Sequence, residues 1–104
     1  MLATLERTAL GLRLAWYDRA TRRIRGSVPV PKATAPQLTA NDRTIVFHVG
    51  RSIRAVSVAS HAVRVLTRAA ATPIGLSLEG NRLAWAENTG RAARIRALYV
   101  SGSG

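Results

Sequence analysis

Thr39-Ala40-Asn41-Asp42-Arg43-Thr44-Ile45-Val46-Phe47 is the stretch whose reading decides the fold. Its first half is turn chemistry, since a Thr hydroxyl bonds nearby backbone N–H groups and Asn and Asp favour chain reversals. Its second half is strand chemistry. Side chains alternate across a strand, so Ile45 and Phe47 share one face and Val46 takes the other. Apolar residues on both faces predict a strand held between two layers.

The same order returns on either side. Thr8-Ala9-Leu10-Gly11-Leu12-Arg13-Leu14-Ala15-Trp16 precedes it and Ser77-Leu78-Glu79-Gly80-Asn81-Arg82-Leu83-Ala84-Trp85 follows. Each copy runs from a hydroxyl through Gly or Asp to Leu or Ile, then Ala or Val, then a large aromatic. The copies start at residues 8, 39 and 77, and a period in that range reads as a repeat architecture. Trp16, Phe47 and Trp85 are therefore the expected core residues of the repeats. A second anchor follows each aromatic, as Ile24-Arg25, Ile53-Arg54 and Ile95-Arg96. The segments between hold turn residues such as Asp18, Gly50 and Gly90, and they predict hairpins leading into strands over 23–28, 52–58 and 93–100. In the middle copy a third strand over 63–66 and a short one over 74–76 complete a unit of four strands in about 40 residues.

On these residues the chain resembles the TolB-type, WD-like β-propeller repeat, whose core reads Ser-Pro-Asp-Gly-Lys-x-Ile-Ala-Phe. The matches are Thr8, Gly11, Leu14, Ala15 and Trp16; Thr39, Asp42, Ile45, Val46 and Phe47; and Ser77, Gly80, Leu83, Ala84 and Trp85. Val65-Leu66-Thr67 resembles the strand ending that follows in the family. Ala9, Ala40 and Leu78 stand where the family has Pro, and Leu10, Asn41 and Glu79 where it has Asp. The resemblance implies an all-β, antiparallel array of propeller-like blades over residues 1–100, and Ser101-Gly102-Ser103-Gly104 reads by composition as a flexible tail at 101–104. It also implies a binding scaffold and carries no particular chemistry. Closed propellers have four or more blades and this chain offers about two and a half, so the expectation is an open propeller fragment.

One stretch reads differently. Leu2, Leu5, Ala9, Leu12 and Trp16 fall at helical spacing, which predicts an amphipathic helix at the N-terminus, whereas the repeat pattern requires a turn at Gly11. Both readings of residues 2–10 stand at this point.

Sixteen basic residues against five acidic ones give a net charge of +11, which points to acidic partners, nucleic acid among them. The arginines are scattered, only Arg19, Arg22, Arg23 and Arg25 cluster, and few aromatics remain for stacking bases. A solvated basic surface accounts for most of that charge. There is no cysteine, hence no disulfide and no thiolate chemistry. No signal peptide and no apolar run long enough to span a membrane is present.

Candidate chemistry is sparse. His48 and His61 lack a second His or a carboxylate at ligand spacing, so no metal or cofactor is expected. Asp18 and Glu87 both stand two residues after a Trp. They read either as inward carboxylates converging on a channel or as charge balance at strand ends, and Val49 at the matching position favours the latter. Arg25, Arg54 and Arg96 recur at one register and would form a ladder of guanidinium groups for carboxylate or phosphate if the blades stacked radially. No nucleophile–base pair, phosphate loop or dinucleotide fingerprint occurs. The sequence thus predicts a non-enzymatic scaffold engaging a protein partner or a second copy of itself. The alternative is a small basic β-domain that binds nucleic acid.

Overall fold

A computed structural model describes residues 1–100, so the expected tail at 101–104 lies outside the described residues. Ten strands and no helix make up those residues: β1 (Leu2–Thr8), β2 (Gly11–Tyr17), β3 (Ile24–Val30), β4 (Thr34–Ala40), β5 (Thr44–Val49), β6 (Ser52–Ser57), β7 (Val63–Arg68), β8 (Ile74–Glu79), β9 (Arg82–Asn88) and β10 (Ala93–Tyr99). They form three antiparallel sheets, each a simple meander: β1-β2-β3, β4-β5-β6-β7 and β8-β9-β10. The protein is all-β, and the three sheets do not close on one another.

The N-terminal stretch is a strand, which removes the helical reading. Thr8 decides it locally, because its Oγ1 accepts from the N–H of Leu10 at 3.2 Å and donates to the Gly11 carbonyl at 3.0 Å. Gly11 takes φ +126, a conformation that L side chains rarely adopt. The reversal lets β1 pair with β2 along its whole length, from Leu2–Tyr17 to Thr8–Gly11. Prolines mark edges, as they must, since they donate nothing to a ladder. Pro29 lies on the edge strand β3, and Pro36 sits where β4 slips register against β5.

The middle sheet lies between the other two. Leu14, Trp16 and Val28 of the first sheet pack against Ile45, Phe47 and Val56 of the middle one. The opposite face of the middle sheet, through Val46, Ile53 and Ala55, packs against Leu78, Leu83 and Trp85 of the third. Five of the six residues of β5 are buried in consequence, as apolar character on both faces predicted. β9 is covered on one face only and alternates cleanly between buried and open positions.

The aromatics Trp16, Phe47 and Trp85 are all buried on the second strand of a sheet, yet their faces are not used alike. The third sheet turns its Trp85 face to the middle sheet's Val46 face, the relation of one layer to the next. The first and middle sheets turn their aromatic faces toward each other. Strand parity, together with the stacking of β1 on β4 and β4 on β8, accounts for the difference. The first sheet has three strands, and only Pro31, Lys32 and Ala33 link β3 to β4. Three residues reach about 10 Å, whereas recrossing a seven-residue strand takes about 23 Å. β4 therefore starts where β3 ends and runs opposite to β1. The middle sheet has four strands, so β8 starts at the same end as β4 and keeps its polarity.

Gly26 shows how tightly the first interface closes. A Cβ there would sit 2.6 Å from Trp16 Cε2 and 2.9 Å from His61 Nε2. The His61 ring meets Trp16 edge-on, with centroids 5.0 Å apart. Gly26→Ala should lower the unfolding free energy by about 1–3 kcal/mol through overpacking, read as a shift in the urea midpoint.

Candidate functional site

Glu87 is the most unusual polar residue, a fully buried carboxylate on the face of β9 that also carries Trp85. The Trp85 indole N–H donates to its Oε1 at 2.9 Å, and Arg96 reaches the same oxygen at 3.1 Å. Arg94 holds Oε2 at 3.3 Å. The Arg96 guanidinium also lies 5.6 Å from the centroid of the Trp85 ring, a cation–π contact. Burial pushes the carboxyl pKa up. The bonds from Trp85, the Ala70 backbone, Arg96 and Arg94 outweigh it and hold the pKa below the ordinary 4.5. Both oxygens are occupied and the group is kept ionised, so it serves as a structural anion and not as a proton carrier.

Asp18, its counterpart by sequence, has a different job. Its Oδ1 accepts from the N–H groups of Ala20 and Thr21 at 2.8 and 3.0 Å, capping the β2–β3 loop. The Thr21 and Ala20 amides hold its pKa below the usual value. Because the sheets reverse polarity, Asp18 and Glu87 stand at opposite ends of the stack. They do not converge on a channel.

The three arginines do not form a ladder. Arg54 sits opposite Phe47 and Arg96 opposite Trp85, but Gly26 is what faces Trp16. The register slips between Trp16 and Tyr17, and that bulge puts exposed Arg25 out of step. Arg54 bonds Ser52 Oγ at 3.2 Å and Arg96 bonds Glu87. Arg25 lies near the end of its strand, whereas Arg54 and Arg96 sit mid-strand.

Two features were not anticipated. On the outer face of the first sheet, Glu6 accepts from Thr4 Oγ1 at 2.8 Å, from Arg13 and from the Tyr17 hydroxyl. The Tyr17, Arg13 and Thr4 bonds lower the Glu6 pKa, and the Glu6 carboxylate raises that of Tyr17. Alternation held the signal, since Glu6 lies opposite Arg13 across the hairpin and both share the Tyr17 face. The second feature is a seam of hydrogen bonds between β4 and β8. Gln37 Oε1 accepts from the Gly75 N–H at 3.0 Å, Thr39 Oγ1 accepts from the Leu78 N–H at 3.0 Å, and Asn41 Nδ2 donates to the Gly80 carbonyl at 2.7 Å.

His48 is buried at the interface of the middle and third sheets. Its Nδ1 lies 2.9 Å from the Gly50 carbonyl. A carbonyl can only accept, so Nδ1 carries the proton, and Nε2 is buried without a partner. Among the described residues no three His, Cys, Asp or Glu side chains stand close enough to hold a metal ion. No family model, no curated protein and no solved structure matches this chain.

A depressed folded-state pKa gives stability that is present above the unfolded value and is lost as pH falls. Glu87 should therefore make the fold less stable as pH drops below about 4.5. Glu87→Gln should destabilise the protein at pH 7 and flatten that acid limb, measured by thermal unfolding across pH.

Proposed function

We propose that this chain is a non-enzymatic scaffold of β-propeller-type blades, akin to an open fragment of a TolB-like propeller, that engages protein through the uncovered face of its third sheet. One observation carries the reading. The outer face of the third sheet repeats, at several ladder positions, the face of the middle sheet that the third sheet covers, with Arg82 and Ala86 standing where the middle sheet buries Thr44 and His48. Val46, Ile53 and Ala55 are buried there; Ala84, Ile95 and Ala97 occupy the matching ladder positions and face outward. Thr39 and Asn41, which bond β8, are matched by exposed Ser77 and Glu79. Even the closing bond recurs, as Val58 N–H to the Arg43 carbonyl at 2.9 Å and Val100 N–H to the Asn81 carbonyl at 2.7 Å.

The face is apolar and open, with Ile74 54%, Ile95 79% and Tyr99 78% exposed. An exposed apolar patch of this kind marks an interaction surface. The first sheet supports the reading from the other end, where Glu6, Arg13 and Tyr17 give the array a polar outer face. Terminal units of stacked arrays need such a cap. The reversed polarity of the first sheet departs from regular blade succession, so the reading rests on the middle and third sheets. The rival nucleic-acid reading finds few stacking platforms, since Trp16, Phe47 and Trp85 are all buried and Tyr99 is the one strongly exposed aromatic ring among the described residues.

Light scattering tests the proposal. The chain should show a mass above its monomer value of 11.2 kDa that rises with concentration. Ile95→Lys with Ala97→Glu should return it to a monomer without loss of fold by circular dichroism. A wild-type chain that stays monomeric, and whose binding of an apolar dye is unchanged by those substitutions, overturns it.

A further inference from the structure

The loops at one end of the stack carry cations and no exposed acid. This end gathers the β1–β2 hairpin, the β3–β4 link, the β5–β6 hairpin, the β7–β8 link and the β9–β10 hairpin, as the strand order and the short connections require. Arg7, Lys32, Arg51, Arg68 and Arg91 are all exposed there. The nearest acids are spent, Glu6 on Arg13 and buried Glu87 on Arg94 and Arg96. At the opposite end Asp18, Asp42 and Glu79 are interspersed among the arginines. Between Arg7 and Lys32 a shallow cleft of about 430 Å³ runs along the β1–β2 hairpin. Leu10, at that hairpin's tip, is completely exposed.

We infer that this end docks on an anionic lipid bilayer, with Leu10 entering the interface and the five cations lying over the headgroups. The layers stand about 10 Å apart, so cations drawn from all three sheets spread over a broad face instead of lining a groove. That suits a surface of charge better than the single track of a nucleic-acid backbone. Phosphodiester contacts would also gain nothing from a bare leucine held out by Thr8. An apolar tip ringed by Lys and Arg is what interfacial binding requires. Each cation near such a surface strengthens binding about fivefold. The opposite end lies a strand length away, about 23 Å, beyond the screening length of roughly 10 Å at 0.1 M salt. Its arginines therefore contribute little.

Co-sedimentation of the full chain with vesicles tests this. It should pellet with mixed phosphatidylserine–phosphatidylcholine vesicles and stay in solution with phosphatidylcholine alone. Arg7→Gln/Arg51→Gln/Arg68→Gln should weaken binding about a hundredfold, and Leu10→Ser about tenfold. Arg19→Gln/Arg22→Gln/Arg23→Gln, at the opposite end, should change it less than threefold, about half a cation's worth. Failure to pellet with the anionic vesicles overturns the inference, as does equal weakening by the two triple variants. So does tighter binding to duplex DNA than to vesicles with Leu10→Ser without effect, which would make the face a nucleic-acid surface.

Discussion

A link of three residues between β3 and β4 determines how everything after it is arranged. An antiparallel meander returns the chain to its starting end only when its strand count is even. The first sheet has three strands, and Pro31-Lys32-Ala33 cannot carry the chain back. The middle sheet then begins at the far end and runs the other way, and because β4 stacks on β1 it offers the first sheet its aromatic face. Both large apolar faces, Leu14 with Trp16 and Ile45 with Phe47, consequently share one core. The third sheet inherits no reversal, because the middle sheet has four strands. It covers the Val46 face, so the middle sheet meets protein on both sides.

The two interfaces differ chemically, and strand length explains part of the difference. β9 runs on to Asn88, so Glu87 is still in the strand and shares the Trp85 face, where it accepts the indole N–H. β2 stops at Tyr17, and Asp18 is drawn into the loop by the amides of Ala20 and Thr21. The Trp16 indole N–H is left buried without an acceptor, a cost of about 1–3 kcal/mol. The edge contact with His61 and close packing over Gly26 must offset it. The first interface is thus held by shape, the second by shape together with charge and the β4–β8 seam.

Much of the strand layout was legible because alternation and turn chemistry are local. Asn41-Asp42-Arg43, Gly80-Asn81 and Asn88-Thr89-Gly90 fall at reversals, and Ile45-Val46-Phe47 read as doubly covered. β1 was ambiguous, since Leu2, Leu5, Ala9 and Leu12 suit a helix as well as a strand, and only pairing with β2 separates the two. The faces were not legible, because they depend on the parity of strands in the first sheet, which no single motif encodes. The Arg25 ladder failed through one extra residue, the bulge beside Tyr17. Glu87 looked like a surface acid because its burial comes from what packs over it. The alternating pairs Trp85 and Glu87, Arg94 and Arg96 held the clue, since antiparallel pairing brings all four to one face.

Edges and faces of the array are managed by different means. An unpaired edge strand invites another chain to add to it. On β8 that route is obstructed by side chains, because Gln37 and Thr39 occupy the N–H groups of Gly75 and Leu78. The outer edges β7 and β10 carry Arg64, Arg68, Arg94 and Arg96, and β3 carries Pro29, devices that discourage strand addition. Like charge on these edges also opposes pairing between copies. With these edges guarded and Glu6, Arg13 and Tyr17 on the first sheet's outer face, the outer face of the third sheet still gathers Ile74, Ile95 and Tyr99 into one exposed surface. That face points away from the polar cap, so the two ends of the array differ in chemistry, one closed by a hydrogen-bonded charge cluster and the other open.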